Sequence, residues 1–168
     1  MRNGFILSEL LIALVIVAIL ALIAAPSFQT LIQENRAASA AESFYSDMEL
    51  ARSQALRLQS TVYVSIQTGT DWCYGLSDSG ATCDCNTANS CQFNGAEKVV
   101  KSTDYPGVSI AIARGFNNDA VSFDGVRGIT GQAGQVDFTA GNATMSTAVG
   151  AMGDIKACSS TVGGYSPC

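Results

Sequence analysis

Residues 5–25, FILSELLIALVIVAILALIAA, leave this chain few ways to fold. From Leu10 to Ala25 there is no charge and no strongly polar group, and the run back to Phe5 adds only Ser8 and Glu9. Wound as a helix at about 1.5 Å per residue, the stretch is long enough to cross the roughly 30 Å hydrocarbon layer of a membrane. Glu9 is its awkward member. An ionised carboxylate inside lipid costs several kcal/mol unless it is paired or protonated, which gives Glu9 a functional reading. The alternative is an ordinary anchor with Glu9 at the headgroup level. A secretory signal orders its parts as charge, apolar run and small-residue cleavage site. Here that order is inverted, because only Met1, Arg2, Asn3 and small Gly4 precede the apolar run.

The helical pattern continues past Pro26, whose missing N–H and ring clash predict a kink near Ile23 to Pro26. Beyond it, Ala37, Ala41, Phe44, Met48, Ala51, Ala55 and Leu58 recur at alternating four- and three-residue steps. Such spacing marks one apolar face. The reading is one helix from about Phe5 to about Leu58, membrane-embedded in its first half and amphipathic in its second. Val62, Val64 and Ile66 then alternate with polar neighbours over Thr61–Gln67, as in a half-buried strand.

Of the 16 glycines only Gly4 precedes residue 69, so a glycine-free helical part gives way to a turn-rich part. This is a helix-then-sheet composition. Further strands are expected at Lys98–Ser102, Val108–Arg114, Ala120–Phe123, Gln135–Thr139 and Asp154–Cys158, forming an antiparallel meander over the amphipathic helix. The predicted fold class is therefore α+β, with residues 61–168 as a β-rich head. The stretch from Asp71 to Asn94 holds Trp72 among Gly, Ser, Asp, Asn and cysteines, and is expected to bury little and to rely on covalent staples.

All six cysteines, Cys73, Cys83, Cys85, Cys91, Cys158 and Cys168, follow residue 72 in a chain whose N-terminal segment points outside the cytoplasm. An even count in that compartment favours disulfides over thiols or metal. Zinc is a weak alternative without any histidine, and no metal or cofactor is expected. Cys83 and Cys85 are too close to pair with each other comfortably, so one is expected to meet Cys73 and the other Cys91. Cys158 and Cys168 are expected to tie the tail, with a free or differently paired Cys168 as the alternative.

With no histidine there is no Ser-His or Cys-His pair, and the Ser, Asp and Glu residues show no nucleophile-and-base spacing, so no enzyme is expected. From Asp71 onward nine acidic residues face five basic ones, a balance that disfavours nucleic acid as a partner.

GFILSE followed by an apolar run resembles the N-terminal signal of type IV pilins and the related secretion pseudopilins. The resemblance implies a cleaved leader at residues 1–4, cut by a prepilin peptidase between Gly4 and Phe5, and N-methylation of Phe5. It implies an assembly contact at Glu9 and a helix distortion at Pro26. Ile6 and Ser8 depart from the family's commoner choices, while Gly4, Phe5 and Glu9 are in place. The block Leu50-Ala51-Arg52-Ser53-Gln54-Ala55 before the first strand is similar to that of minor pilins of the FimT and FimU type and of the H-type minor pseudopilin of type II secretion, with Gln54 replacing the common acid.

On this resemblance residues 5–28 form a transmembrane and assembly helix and 29–60 the amphipathic half of a pilin-like fold. The chain is placed in the bacterial inner membrane as a single-pass protein with a periplasmic head, and then in a pilus or pseudopilus at the cell surface. Its implied partners are the prepilin peptidase, other pilins or pseudopilins and the inner membrane. The implied function is a minor structural subunit that initiates or caps a type IV pilus; alternatives are a minor type II secretion pseudopilin and a DNA-binding minor pilin. Some FimT-type proteins carry a C-terminal Gly-Arg-x-Arg element for DNA, and the corresponding place here reads Gly153-Asp154-Ile155-Lys156, with Asp where the first Arg would stand.

Overall fold

The computed structural model describes residues 7–116 and 119–168. Its first element, helix α1, spans Leu7–Leu58 and has 52 residues. The chain divides into two compact units, the second being Gln33–Cys168. In the first unit the side chains from Leu7 to Ala21 are all exposed. Helical assignment continues through residue 26, whose side chain lies outside the described residues, as do Gly4 and Phe5. Among the described residues no helix is long and apolar enough to cross a membrane. The described apolar segment 7–21 accounts for only about 22 Å of helix.

In the second unit, α1 buries Ala37, Ala40, Ala41, Phe44, Asp47, Met48, Ala51, Gln54 and Ala55. These steps of three and one trace a single helical face, as the alternating apolar positions predict. Leu58, expected on that face, is instead 44% exposed, because the helix ends there and Gln59 turns the chain with φ of 52°.

Ten strands follow. One sheet has the order β5-β2-β1-β7, from Val99–Lys101, Cys73–Ser77, Val62–Gln67 and Ala120–Phe123. The other has the order β10-β9-β8-β6, from Ile155–Cys158, Ala143–Val149, Gly134–Ala140 and Ser109–Arg114. A short hairpin joins β3, Gln92–Phe93, to β4, Ala96–Glu97. All pairings are antiparallel, and an isolated bridge between Gly69 and Ile110 links the two sheets. The strands thus form two sheets where a single meander was expected. The difference comes from β7, which returns to pair with β1 in the register Val62–Phe123 to Ser65–Ala120.

The helix serves both sheets. Phe44 meets Tyr74 of β2 edge-on at a centroid distance of 5.0 Å and Phe138 of β8 at 5.4 Å. Trp72 stacks between Tyr74 and Tyr105, and its indole N–H donates to the carbonyl of Val108 at 2.7 Å. These aromatic contacts join helix and sheets into one core.

The segment from Asp71 onward corrects the expectation of a poorly buried loop. Trp72 is buried and all five residues of β2 are buried, on both faces of the strand. Tyr74 and Leu76 point into the main core, while Cys73, Cys85 and Cys91 form a second small cluster. The structure pairs Cys73 with Cys85, Cys83 with Cys91 and Cys158 with Cys168. The excursion between β2 and β5 is therefore folded back over the outer face of the first sheet and held there by two bridges. The strand β9, which had no counterpart among the expected strands, is read as polar because only alternate residues of ATMSTAV face the core.

Gly75 shows how close this packing is. A Cβ added there would lie 2.3 Å from the sulfur of Cys91 and 3.3 Å from that of Cys83. Both sulfurs are bonded and cannot swing away. Gly75→Ala should therefore lower stability by about 1–3 kcal/mol, the usual range for overpacking. Urea unfolding of the purified chain tests this, and an unchanged midpoint would contradict the packing described.

Candidate functional site

Among the described residues no group of three or more Cys, Asp or Glu side chains is placed to hold a metal ion. A groove of about 500 Å³ between Thr70, Ser102, Thr103, Val108, Ser109 and Thr139 is lined by hydroxyls without a titratable partner. The distinctive geometry lies instead along α1, in two parts that do different things.

The first part is the N-terminal stretch. Leu7 is 80% exposed and Val15 50%, with Leu10, Leu11, Ile12, Leu14, Ile16, Val17, Ile19 and Leu20 between those limits. A continuous apolar surface on this scale needs lipid or other helices around it. Glu9 sits exposed in the first turn of α1, within that surface. Gly4 and Phe5 precede the described residues.

The second part is the docking of α1 on the head. Asp47 is buried, and each of its carboxylate oxygens has a partner. Tyr74 donates its phenol O–H to one at 2.9 Å, and the Lys98 ammonium lies 2.9 Å from the other. Ser43 shares the Tyr74 oxygen at 3.4 Å. Lys98 belongs to the cysteine-bridged excursion, so this cluster ties the helix to the bridged loop through β2. The Lys98 side chain is itself 38% exposed, so the pair joins a solvated ammonium to a buried carboxylate, and the Tyr74 phenol is the buried half of the Asp47 contact. Burial pushes the Tyr74 phenol well above its ordinary value, and the charge of Asp47 pushes it further in the same direction.

One turn further on stands the Leu50–Ala55 block. Ala51 and Ala55 are buried against the sheets, while Leu50 and Ser53 face outward. Arg52 donates from Nε to the carbonyl of Gly128 at 3.1 Å, reaching 76 residues along the chain. Gly153 packs on that same carbonyl, since a Cβ added there would fall 2.1 Å from it. Arg52 thus holds together the turns at 124–131 and 150–154. Gln54 is buried and donates to the side chain of Asn94 at the tip of the β3–β4 hairpin. Arg57 donates to Gln54 at 2.9 and 2.6 Å and to Asn94 at 2.8 Å. The block is therefore a set of clamps between helix and head, a role that its spacing alone does not reveal.

The Gly153-Asp154-Ile155-Lys156 element occupies the turn into β10. Gly153 and Ile155 are buried, and the Asp154 carboxylate lies against Gly150, where an added Cβ would be 2.1 Å from it. Of these four residues only Lys156 presents a cation to solvent. Beyond β10, Tyr165 donates to Glu42, and the Cys158–Cys168 bridge closes the tail.

Comparison with known proteins places these features. A sequence model of the family described as Type II transport protein GspH matches residues 40–153. No curated relative matches the sequence. Among solved structures, the fold is similar to that of the type IV minor pilin FimU of Pseudomonas aeruginosa strain PAO1, at 13% identity and a TM-score of 0.52, covering 73% of this chain and 87% of that one. It is also similar to the minor pseudopilin EpsH from the type 2 secretion system of Vibrio cholerae, at 13% identity and a TM-score of 0.54, covering 74% and 97%.

The Tyr74–Asp47 contact makes a pH prediction. Because the folded-state pKa of Tyr74 is raised, its contribution is fully present below the unfolded value, near 10, and is lost as pH rises above it. Stability measured by denaturant unfolding should therefore decline above about pH 10. Tyr74→Phe should be less stable than the parent by about 1–2 kcal/mol at neutral pH and should show a shallower alkaline decline. Parallel pH profiles for the two chains would contradict the assignment.

Proposed function

Since this chain belongs to the family of Type II transport protein GspH and is a minor pilin or pseudopilin by fold and family, we propose that it initiates or caps a type IV pilus as a low-abundance structural subunit. The observation that carries this reading is the family match over residues 40–153, which includes the clamp block on α1. A second reading, a minor pseudopilin of a type II secretion system, is favoured by the family's own description. On either reading the protein works by assembly and catalyses no reaction.

The proposed mechanism runs through the first part of the helix. A prepilin peptidase cuts between Gly4 and Phe5 and methylates the new amine, while residues 5–28 hold the chain in the bacterial inner membrane as a single pass with the head in the periplasm. The Glu9 carboxylate of an incoming subunit then pairs with the Phe5 amine of a neighbour. In a low-dielectric helix bundle this pairing offsets the several kcal/mol of desolvation that an isolated carboxylate costs, and so favours one register. The exposed apolar side chains from Leu7 to Leu20 leave lipid and bury one another. Pro26 supplies a weak point in the helix where it can bend or unwind on assembly. DNA binding is the weakest of the three readings, because Asp154 puts a negative charge where a phosphate contact would need a positive one.

Gly4→Ala should leave the chain in the membrane but unprocessed, detected as retention of residues 1–4 by mass spectrometry. Glu9→Ala should be processed normally yet absent from sheared filaments. Normal filament incorporation of both variants would sink this reading.

A further inference from the structure

On the first sheet, Tyr63 of β1 stands between Ser77 of β2 and Ser122 of β7, its partners in the strand register. Val62 and Val64 on either side of it are buried in the core, so alternation places the Tyr63 side chain on the outer face. The bridged excursion between β2 and β5 meets β1 on that face, where the Cys83 N–H donates to the Ser65 hydroxyl at 3.0 Å. Beside this contact a cavity of about 270 Å³ opens over Tyr63 and Ser122. Thr82, from the excursion, and Phe116, Thr130 and Gln132, from two other loops, line it as well.

The lining is held in place from outside the cavity. Thr82 precedes Cys83, which is bonded to Cys91. The Phe116 ring is buried against Gly134, where an added Cβ would fall 2.3 Å from it. Thr130 spends its hydroxyl on the carbonyls of Gln132 at 2.6 Å and Gly150 at 3.1 Å. The hydroxyls of Tyr63, Thr82 and Ser122, by contrast, make no hydrogen bond among the described residues. None of the lining residues is charged, so a phosphate or carboxylate finds no cation there. A purely apolar ligand would strip water from three hydroxyls and return nothing to them. An uncharged ligand that offers both C–H and O–H groups satisfies the ring and the hydroxyls together. The volume lies just below the range of drug-sized sites, which limits the occupant to about one small ring. The larger hydroxyl-lined groove at Thr70 and Ser109 has no aromatic side chain in its lining.

We propose that this cavity binds one neutral sugar unit, free or at the end of a glycan. Tyr63 supplies the apolar platform for the C–H face of the sugar, and the Tyr63, Thr82 and Ser122 hydroxyls exchange hydrogen bonds with its O–H groups. So few contacts, all of them neutral, give a Kd on the order of 1 mM. Without a charged partner the affinity does not depend on salt. The cavity belongs to the head alone, so the assignment stands apart from the filament-subunit reading.

The test titrates the full-length chain, in a zwitterionic detergent that carries no sugar, with the methyl glycosides of glucose, galactose and N-acetylglucosamine, read by saturation-transfer NMR. At least one should bind, equally at low and high salt. The tetrasaccharide of the same sugar separates the two sources: equal binding marks the end of a glycan, and binding of the monosaccharide alone marks a free sugar, either of which supports the assignment. Tyr63→Leu removes the ring and its hydroxyl, and Ser122→Leu fills the cavity. Both should weaken binding roughly tenfold or more while keeping the parental urea midpoint and disulfides. Thr82→Val, at an exposed position away from the core, should weaken it about threefold. Failure of all three glycosides to bind the parent would overturn the proposal. So would binding of phenol without any glycoside, or glycoside affinities in the three variants equal to the parent's.

Discussion

The head depends on one helix face being narrow. Ala37, Ala40, Ala41, Ala51 and Ala55 surround Phe44 and Met48, so both sheets can approach the helix backbone closely, and only two large side chains need to be accommodated. The approach is close enough that Thr147 of β9 donates its hydroxyl to the helix carbonyl of Ala41 at 3.2 Å. A larger residue at any of those alanines would push one sheet away and open the aromatic contacts that Phe44 makes with Tyr74 and Phe138. The Asp47 cluster then sets the register of the helix against β2, because a buried carboxylate with two partners tolerates neither a slide nor a rotation.

The cysteine bridges extend this logic outward. An antiparallel sheet can leave one face to solvent, but here the outer face of β2 is covered by the chain between Asp78 and Lys98, which has little apolar content of its own. Two disulfides and the Lys98–Asp47 ion pair hold that cover in place. Gly75 is required beneath it, for lack of room rather than for an unusual backbone angle. The bridged cover and the exposed apolar side chains Val126 and Met152 are thus separate regions of the head's surface.

Much of this was legible in the residues. Periodicity located the apolar face of the helix as far as Ala55, and alternation located β1, β6 and β7, because each signal comes from a single element against one core. The long-range partners were not legible. Nothing in Arg52 or Gln54 announces Gly128 or Asn94, since those contacts depend on how the sheets return to the helix. Cys73–Ser77 was misread because its core residues, Tyr74 and Leu76, alternate with Cys, Gly and Ser, which look like loop residues unless one knows that disulfides cover that side. Likewise β9 hides its core residues, Met145 and Val149, among threonines and alanines. Leu58 carried the right spacing one turn too far, into the turn at Gln59.

Labour is divided along α1. Residues from Gln33 onward include the internal clamps, whereas the described apolar side chains from Leu7 to Leu20 are exposed, a surface suited to lipid or other helices. The most direct measurement is the intact mass of the chain recovered from sheared surface filaments of its native host. The account predicts a chain that begins at Phe5, carries one N-terminal methyl group and holds three disulfides. A chain found only outside filaments, or found in them with Met1–Gly4 still attached, would contradict it.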